Sequence, residues 1–494
     1  VSCAREDAAG RVTFISAARI NIAWDTDAIS AVLGNGAAEN AVVAFTSTAE
    51  LRDVSITATS AVAPFMDISP AHLDTVLPGV PCSVTIRFKV PPDAAAGTRG
   101  GTIRLSSGNR KYARPLQARI VVDFGGAAIP PTTRVVTQAT WDELQYAAPD
   151  YSLIEFLTVP EELIFVQAGD VIVSGVTEQT PFGLIRKVVS VGSDADTPLS
   201  LICADATLAD AFASASIALA DVLTPDDAAE GQDPIESGGG YSFFVRYAGV
   251  LHDGDGDPGT AGDQVTIAGT IGFDGAYSLA LDVAASAVQS ASFANETSHV
   301  LDLTLDAQSG IAPLAKNVDL WSRQLEPRTV WAGYVPVVIV PVLTVRADVG
   351  GDVAAPSHAA MAESASMTAG ATYAAGAWQP ISESAVAGIE GTASAAPGCN
   401  VKVRVGPRLD LLVYGVPGPH AQTDGCLRTA AGGAADPWWR LYGGIEADAG
   451  IRTEALDGAL AGALFPAAVQ DERLLAEGGA VTPEEDGAIA GVVR

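Results

Sequence analysis

The chain has 494 residues, and its 58 acidic residues against 28 basic ones give a formal net charge of −30. A surface this negative repels nucleic acid and anionic membranes, so neither is an expected partner. Hydrophobic residues make up 48% of the chain and charged residues only 17%, which excludes a disordered acidic tail and predicts several packed domains.

Residues 1–126 are predicted to form the first domain. Stretches such as 83–90 alternate apolar and polar residues with the period of half-buried strands. In the segment 90–105, one strand ends at two prolines, a small-residue loop turns at glycines, and another strand begins. This run, V-P-x-x-A-x-x-G-x-x-x-G-T-I, resembles the penultimate hairpin of bacterial immunoglobulin-like domains. The resemblance implies a β-sandwich.

A proline-containing linker separates this region from a second predicted domain, 134–327, and a third, 329–465. Both consist mainly of amphipathic stretches typical of strands, with one short helix expected at 207–219 after the capping residue Thr207. The sequence leaves open whether the long strands of the two regions share one sheet. The predicted fold class is therefore mainly β, with an N-terminal immunoglobulin-like sandwich followed by one or two large antiparallel β domains.

The third region also carries two runs that resemble known sequences. V-G-P-R-L-D-L-L-V-Y-G-V at 405–416 is followed by D-P-W-W at 436–439. Both runs resemble segments of uncharacterised bacterial extracellular proteins rich in β structure. The resemblance implies a location outside the cell or at its surface, and it implies no activity.

The tail, 466–494, ends after a polar spacer in the apolar run G-A-I-A-G-V-V-R. That run resembles the opening strand of carboxypeptidase-regulatory-like domains, whose later strands do not follow here. Either the chain continues in a longer protein, or the strand needs a partner. An unpaired strand joins a free sheet edge readily, so Ile489, Val492 and Val493 are predicted to drive assembly by adding to another copy.

The sharpest local motif is D-G-D-G-D-P-G-T-A-G-D-Q at 253–264. Aspartates at alternate positions, with glycines that bend the backbone, bring carboxylates to one point, and Ca²⁺ binds about six to eight such oxygens. The predicted calcium ligands are Asp253, Asp255, Asp257 and Asp263. Gln264 stands where an EF-hand has glutamate, and the alternative interpretation is a polar hairpin tip.

Five cysteines are scattered along the chain without the spacing of a zinc site. Pairing by region predicts the disulfides Cys3–Cys82 and Cys399–Cys426 and leaves Cys203 as a buried thiol. Disulfides persist in oxidising compartments, so this pairing favours export, and a reduced cytosolic chain is the alternative. No apolar stretch reaches the roughly 18 residues of a membrane-spanning helix, so no membrane span is expected.

The sequence contains no motif for a serine nucleophile, a metalloprotease helix or a phosphate-binding loop, so an enzyme is not expected. Trp378, Trp438 and Trp439 are candidates for stacking on a surface glycan, and packing within a sheet is the alternative. The sequence therefore predicts a non-catalytic extracellular protein, structural or adhesive, that assembles with copies of itself into a filament or surface layer. A carbohydrate- or peptide-binding module is the second interpretation, and a hydrolase with a spatially assembled acid pair is the third.

Overall fold

The computed structural model describes residues 3–6, 12–15, 22–33, 38–60, 62–91, 97–107, 110–111, 115–122, 127–193, 197–228, 236–238, 240–257, 259–308, 314–353, 356–395, 399–431, 437–457, 462–478 and 492–493. The chain forms two compact units, of which the first comprises Val1–Pro92 and Gly100–Ile120 and the second Asp93–Arg99 and Val121–Arg494. The prediction of a mainly β chain is confirmed. Within the described ranges, no helix is both long and apolar enough to cross a lipid bilayer.

The first unit consists of short strands in two main sheets. Its elements are β1 (Cys3–Glu6), β2 (Val12–Ile15), β3 (Ile22–Trp24), β4 (Ala28–Leu33), β5 (Ala38–Ser47), β6 (Leu51–Ala58), a 3-10 helix (Ala63–Phe65), β7 (Met66–Ser69), β8 (His72–Val76), β9 (Cys82–Lys89), β10 (Gly97–Ser107), β11 (Arg110–Lys111) and β12 (Leu116–Val122). One sheet has the order β3-β5-β9-β7, and the other links β8, β6, β10, β12 and β4. Strand β9 buries Val84, Ile86 and Phe88 and exposes the residues between them, as its alternating sequence predicts.

The second unit begins with a six-stranded sheet. Its elements are β13 (Thr133–Val136), α1 (Gln138–Trp141), β14 (Leu144–Ala147), β15 (Leu153–Phe156), a 3-10 helix (Glu161–Leu163), β16 (Val171–Ser174), β17 (Leu184–Gly192) and β18 (Leu199–Asp205). The strand order is β13-β16-β17-β18-β15-β14. Trp141 is buried in the core of this sheet, and its indole N–H donates to Ser174 Oγ at 2.8 Å. Cys203 is a buried free thiol in the same core, as predicted.

Two sheets of long strands follow. The first long sheet contains β19 (Ser214–Val222), β20 (Phe243–Asp253), β21 (Gln264–Ala284), β22 (Ala287–Ala307), β26 (Ser357–Ala374) and β27 (Ala377–Ala395). The second contains β23 (Leu314–Gln324), β24 (Arg328–Ala332), β25 (Val335–Val353), β28 (Cys399–Val413), β29 (Val416–Ala431), β30 (Trp439–Ile451), β31 (Ala463–Gly478) and β32 (Val492–Val493). Short 3-10 helices lie at Pro225–Asp227 and Ala261–Asp263, and the short helix α2 at Leu208–Ala211.

Strand order and packing make these two sheets the layers of one sandwich. The first long sheet runs β27-β26-β22-β21, with β19 and β20 both on β21, and the second runs β25-β28-β29-β30-β31-β32, with β23 and β24 on β25. Strands β26 and β27 pack over β29, β30 and β31. From Ser290 to Ala307, strand β22 alternates buried residues with residues that are not buried, because its period-two sequence places one face against the facing sheet.

Strand pairing crosses the predicted boundary between 134–327 and 329–465. Strand β22 pairs with β26 along 17 residue pairs, from Ala291↔Tyr373 to Ala307↔Ser357. Residues from both predicted regions therefore share the first long sheet, and the second unit holds them together.

The helix predicted at 207–219 is wrong except for its first turn. Thr207 does form a capping box with Asp210 at the start of α2. The helix ends after four residues, and Ser214–Val222 pairs as strand β19 with β21. Backbone pairing with a long neighbouring strand outweighs the helical propensity of the alanines here.

Candidate functional site

The acidic motif lies at the tip of the β20–β21 hairpin. The alternative interpretation of the sequence predicted such a polar hairpin tip. Carboxylate oxygens of Asp253, Asp255 and Asp263 lie within 4.8 Å of one another. The backbone N–H of Asp255 donates to Asp263 Oδ2 at 2.8 Å, and that of Gly256 donates to Asp253 Oδ1 at 2.9 Å. These turns hold three carboxylates at one point, which is the arrangement that a hard cation needs.

The fourth predicted ligand, Asp257, is not part of this cluster. Its Oδ1 accepts from the N–H of Gly259 at 2.9 Å and stabilises the next turn instead. Hydrogen bonds from the N–H of Asp257 and from Thr260 lower the pKa of Asp255, so this carboxylate is ionised at neutral pH. With one oxygen from each carboxylate the cluster supplies three of the about six to eight oxygens that calcium binds, so backbone carbonyls or water would have to complete the set.

The two predicted disulfides are not formed. Cys82, Cys399 and Cys426 are free thiols, and the side chain of Cys3 lies outside the described residues. Cys426 is opposite Arg404 in the β28–β29 register, five residues along from Cys399, which corresponds to roughly 16 Å. A disulfide requires Cα atoms within about 7 Å. The thiols also face different surroundings, since Cys399 contacts Ser357 at 2.9 Å and Cys426 contacts Glu446 at 3.7 Å.

Of the three tryptophans predicted to stack on a glycan, two are inaccessible. Trp438 and Trp439 are 6% and 1% exposed, and a side chain at Gly478 would overlap the Trp439 ring. Trp439 lies opposite Gly478 at the end of the neighbouring strand β31, and both tryptophans belong to the main hydrophobic core of the second unit. Trp378 is half-buried at the tip of the β26–β27 hairpin, 5.2 Å from the ring of Tyr373.

The C-terminal strand is paired within its own chain. Val492 and Val493 pair with Glu477 and Ala476 at the end of β31. The prediction of an unpaired terminal strand is therefore wrong for these two residues, and Ile489 lies outside the described residues. Strand β31 borders the second long sheet beneath this segment and carries four charged residues, Asp471, Glu472, Arg473 and Glu477.

Strand β27 borders the first long sheet and has a different character. Among the described residues its only pairing partner is β26. It is 19 residues long, most of them exposed, and its only charged residues are Glu383 and Glu390. Natural edge strands are usually short, charged or covered, because unpaired N–H and C=O groups recruit other strands. Sequence reasoning missed this edge, although the low charge of the segment was visible.

The outer face of the second long sheet carries a partly buried network of charges. Arg404 on β28 contacts the carboxylates of Asp348, Glu446 and Asp448 at 2.8, 3.0 and 2.9 Å. The fully buried carboxyl of Asp424 lies 3.8 Å from the same guanidinium and accepts from Gln422 Nε2 at 3.0 Å. Burial raises the pKa of Asp424 to about 8, although Arg404 and Gln422 lower it. A carboxyl that is neutral at pH 7 thus lies within a set of charged neighbours.

No family model matches the chain, and no curated protein matches it. A partial likeness exists to the solved structure of a family 123 glycoside hydrolase from Clostridium perfringens, described in connection with glycolipid glycan hydrolysis. The identity is 13%, the likeness covers 24% of this chain and 27% of the hydrolase chain, and the TM-score is 0.18. A likeness at that level carries no inference about fold or activity.

Proposed function

We propose that this protein is a non-catalytic, structural or adhesive component outside the cell, and that copies associate through the β27 edge of the first long sheet. The observation that carries the proposal is the length and low charge of β27, which is mostly exposed and, within the described part of the chain, pairs with β26 alone. Pairing with a second copy would satisfy the free backbone groups of both strands.

The contrast with β31 supports β27 as the point of association. The β31 edge has four charged side chains and is covered at one end by β32. Charged side chains and coverage are the two common means of blocking edge-to-edge pairing. Residues 384–389 of β27, Ser-Ala-Val-Ala-Gly-Ile, have no charge and no proline. This segment therefore leaves the backbone of β27 accessible.

The acidic hairpin gives the proposal a second element, a calcium ion bound by Asp253, Asp255 and Asp263. Such an ion would offset two of the three negative charges of the converging carboxylates and stiffen the β20–β21 hairpin. Calcium-stiffened loops suit extracellular proteins, which meet higher concentrations of this ion. The location outside the cell rests on the acidic composition and on the resemblance of 405–416, since the disulfide argument for it no longer applies.

Two lysines placed on the free edge test the assembly. Ala385 and Ala387 are exposed on β27, and lysines there would face their counterparts when two copies pair antiparallel. Ala385→Lys with Ala387→Lys is expected to shift the oligomers of the wild type to monomers. Light scattering after size exclusion measures the mass, and electron microscopy shows the form of the assembly.

The matched control is Ala268→Lys, because Ala268 is exposed on β21, a strand paired on both sides. This variant should assemble like the wild type. A chain truncated after Thr482 tests the terminal strand separately. If the truncated chain no longer assembles and the lysine variant assembles fully, the contact lies at the terminus. That outcome would reject the β27 edge. A wild type that is monomeric at every concentration would reject both.

A further inference from the structure

A cavity of about 380 Å³ lies within the second unit, beside the six-stranded sheet. The β14–β15 loop, the start of β17, the end of β18 and the β28–β29 turn surround it, and Glu454 lies at its border. The volume falls in the range of ligand-binding pockets, about 300–1,000 Å³. Neither the proposed assembly edge nor the acidic hairpin includes any residue of this cavity.

Part of the wall of the cavity is apolar, and close packing holds that part in place. Phe182 is 36% exposed, and a Cβ on Gly415 would lie 3.4 Å from its side chain. Gly183 has a φ of +69°, and a Cβ there would approach Val338 to 2.6 Å. The hydroxyl of Tyr151 donates to the carbonyl of Gln179, which fixes a second aromatic ring at the wall. The cavity is therefore formed before any ligand arrives.

The rim of the cavity is negative. Asp150, Asp205 and Glu454 contribute three carboxylates, and Arg186 is the one basic residue among the lining side chains. All three carboxylates are exposed, and the side chain of Asp205 is 91% exposed. The guanidinium of Arg186, whose side chain is only 18% exposed, is already paired with Asp205, so Asp150 and Glu454 are the rim charges that it does not pair with. Hydrogen bonds from Ser152 lower the pKa of Asp150, which keeps it ionised.

We infer that this cavity binds the basic side chains of a lysine- or arginine-containing peptide segment. The aliphatic stem of such a side chain would pack on Phe182 and Tyr151, and its cationic end would meet the rim carboxylates. The net charge of the whole chain, −30, attracts a cationic partner from a distance. An anionic ligand would meet three rim carboxylates and a single arginine that already pairs with one of them.

The test is calorimetric titration of the full chain with the peptide acetyl-Lys-Leu-Lys-amide. Its twin with both lysines acetylated has the same length and carries no charge, and it should bind at least tenfold more weakly. The rim variant Asp150→Asn, Asp205→Asn, Glu454→Gln should also bind the charged peptide at least tenfold more weakly. Phe182→Ala should weaken binding of the charged peptide without changing its salt dependence.

A second triple variant separates the cavity from general charge attraction. Asp282→Asn, Asp352→Asn, Glu326→Gln makes the same change in net charge at exposed positions outside the cavity lining and the β27 edge, and it should bind within about twofold of the wild type. The inference would be overturned if both triple variants lost affinity for the charged peptide equally. It would also be overturned if the charged peptide and its acetylated twin bound the wild type equally well. Tighter binding of acetyl-Glu-Leu-Glu-amide, abolished by Arg186→Gln, would identify an anion site instead. Melting curves of each variant confirm that it is folded.

Discussion

Replacing Asp424 by asparagine removes the ionisable group from the buried carboxyl of the second long sheet while keeping its shape. The pKa of Asp424 is about 8 in the folded chain and near 3.9 in the unfolded chain. Because this pKa is higher in the folded chain than in the unfolded chain, the protonated carboxyl of Asp424 favours the folded state. This stabilisation is fully present below about pH 4 and is lost as the pH rises through about 8. Each pH unit between these values costs about 1.4 kcal/mol, so the loss for this one group reaches about 4 kcal/mol at pH 7.

The asparagine of the Asp424→Asn variant cannot lose a proton. The free energy of unfolding of this variant should therefore not fall with rising pH through ionisation at position 424. Urea denaturation from pH 4 to pH 8, followed by the fluorescence of the buried Trp438 and Trp439, gives that free energy for the variant and the wild type. The difference between them should grow by about 4 kcal/mol from pH 4 to pH 7. Asp282→Asn, at an exposed position, controls for the loss of a negative charge. If the difference in free energy of unfolding between the variant and the wild type stays constant with pH, the inference that the buried carboxyl of Asp424 is protonated is wrong.

Two further predictions concern the hairpin and the thiols. Excess chelator should lower the melting temperature of the wild type, because calcium at one hundred times its Kd adds about 2.7 kcal/mol of stability, and Asp255→Ala should remove the response. Identical melting curves with and without chelator would count against the site. Iodoacetamide should label Cys399 and Cys426 in the unfolded chain without prior reduction, since both are free thiols. Peptide mass spectrometry identifies the labelled cysteines. If Cys399 and Cys426 are labelled only after reduction, they form a disulfide and the prediction of free thiols is wrong.

Features set by local spacing were predictable from the sequence. The aspartates at alternate positions in 253–263 predicted a converging acidic turn, because backbone geometry over a few residues decides where such side chains point. The alternation within 83–90 predicted strand β9 for the same reason. Asp257 does not join the cluster because its side chain accepts a hydrogen bond from the next turn. The spacing of the aspartates does not determine which turn each side chain caps.

Features set by register were not predictable. Cys399 and Cys426 are 27 positions apart, and their separation depends on how β28 and β29 align, which a shift of a few residues would change entirely. Trp438, just before β30, and Trp439, its first residue, both belong to the buried core, against the expectation for adjacent residues of a strand. The cavity gathers Asp150, Arg186 and Glu454 from three separate elements, and no local pattern marks them as neighbours.

Charge and edge structure act together in the proposed assembly. A net charge of −30 opposes the close approach of two copies in arbitrary orientations, which reduces the need for charged residues on every exposed strand. Repulsion between exposed charges is screened beyond about 8 Å at physiological ionic strength, and two strands pair at about 4.8 Å. Within that distance the local sequence decides which edge pairs. Strand β31 has charges there and β27 has an uncharged segment at 384–389, so the proposed contact falls on β27 and not on β31.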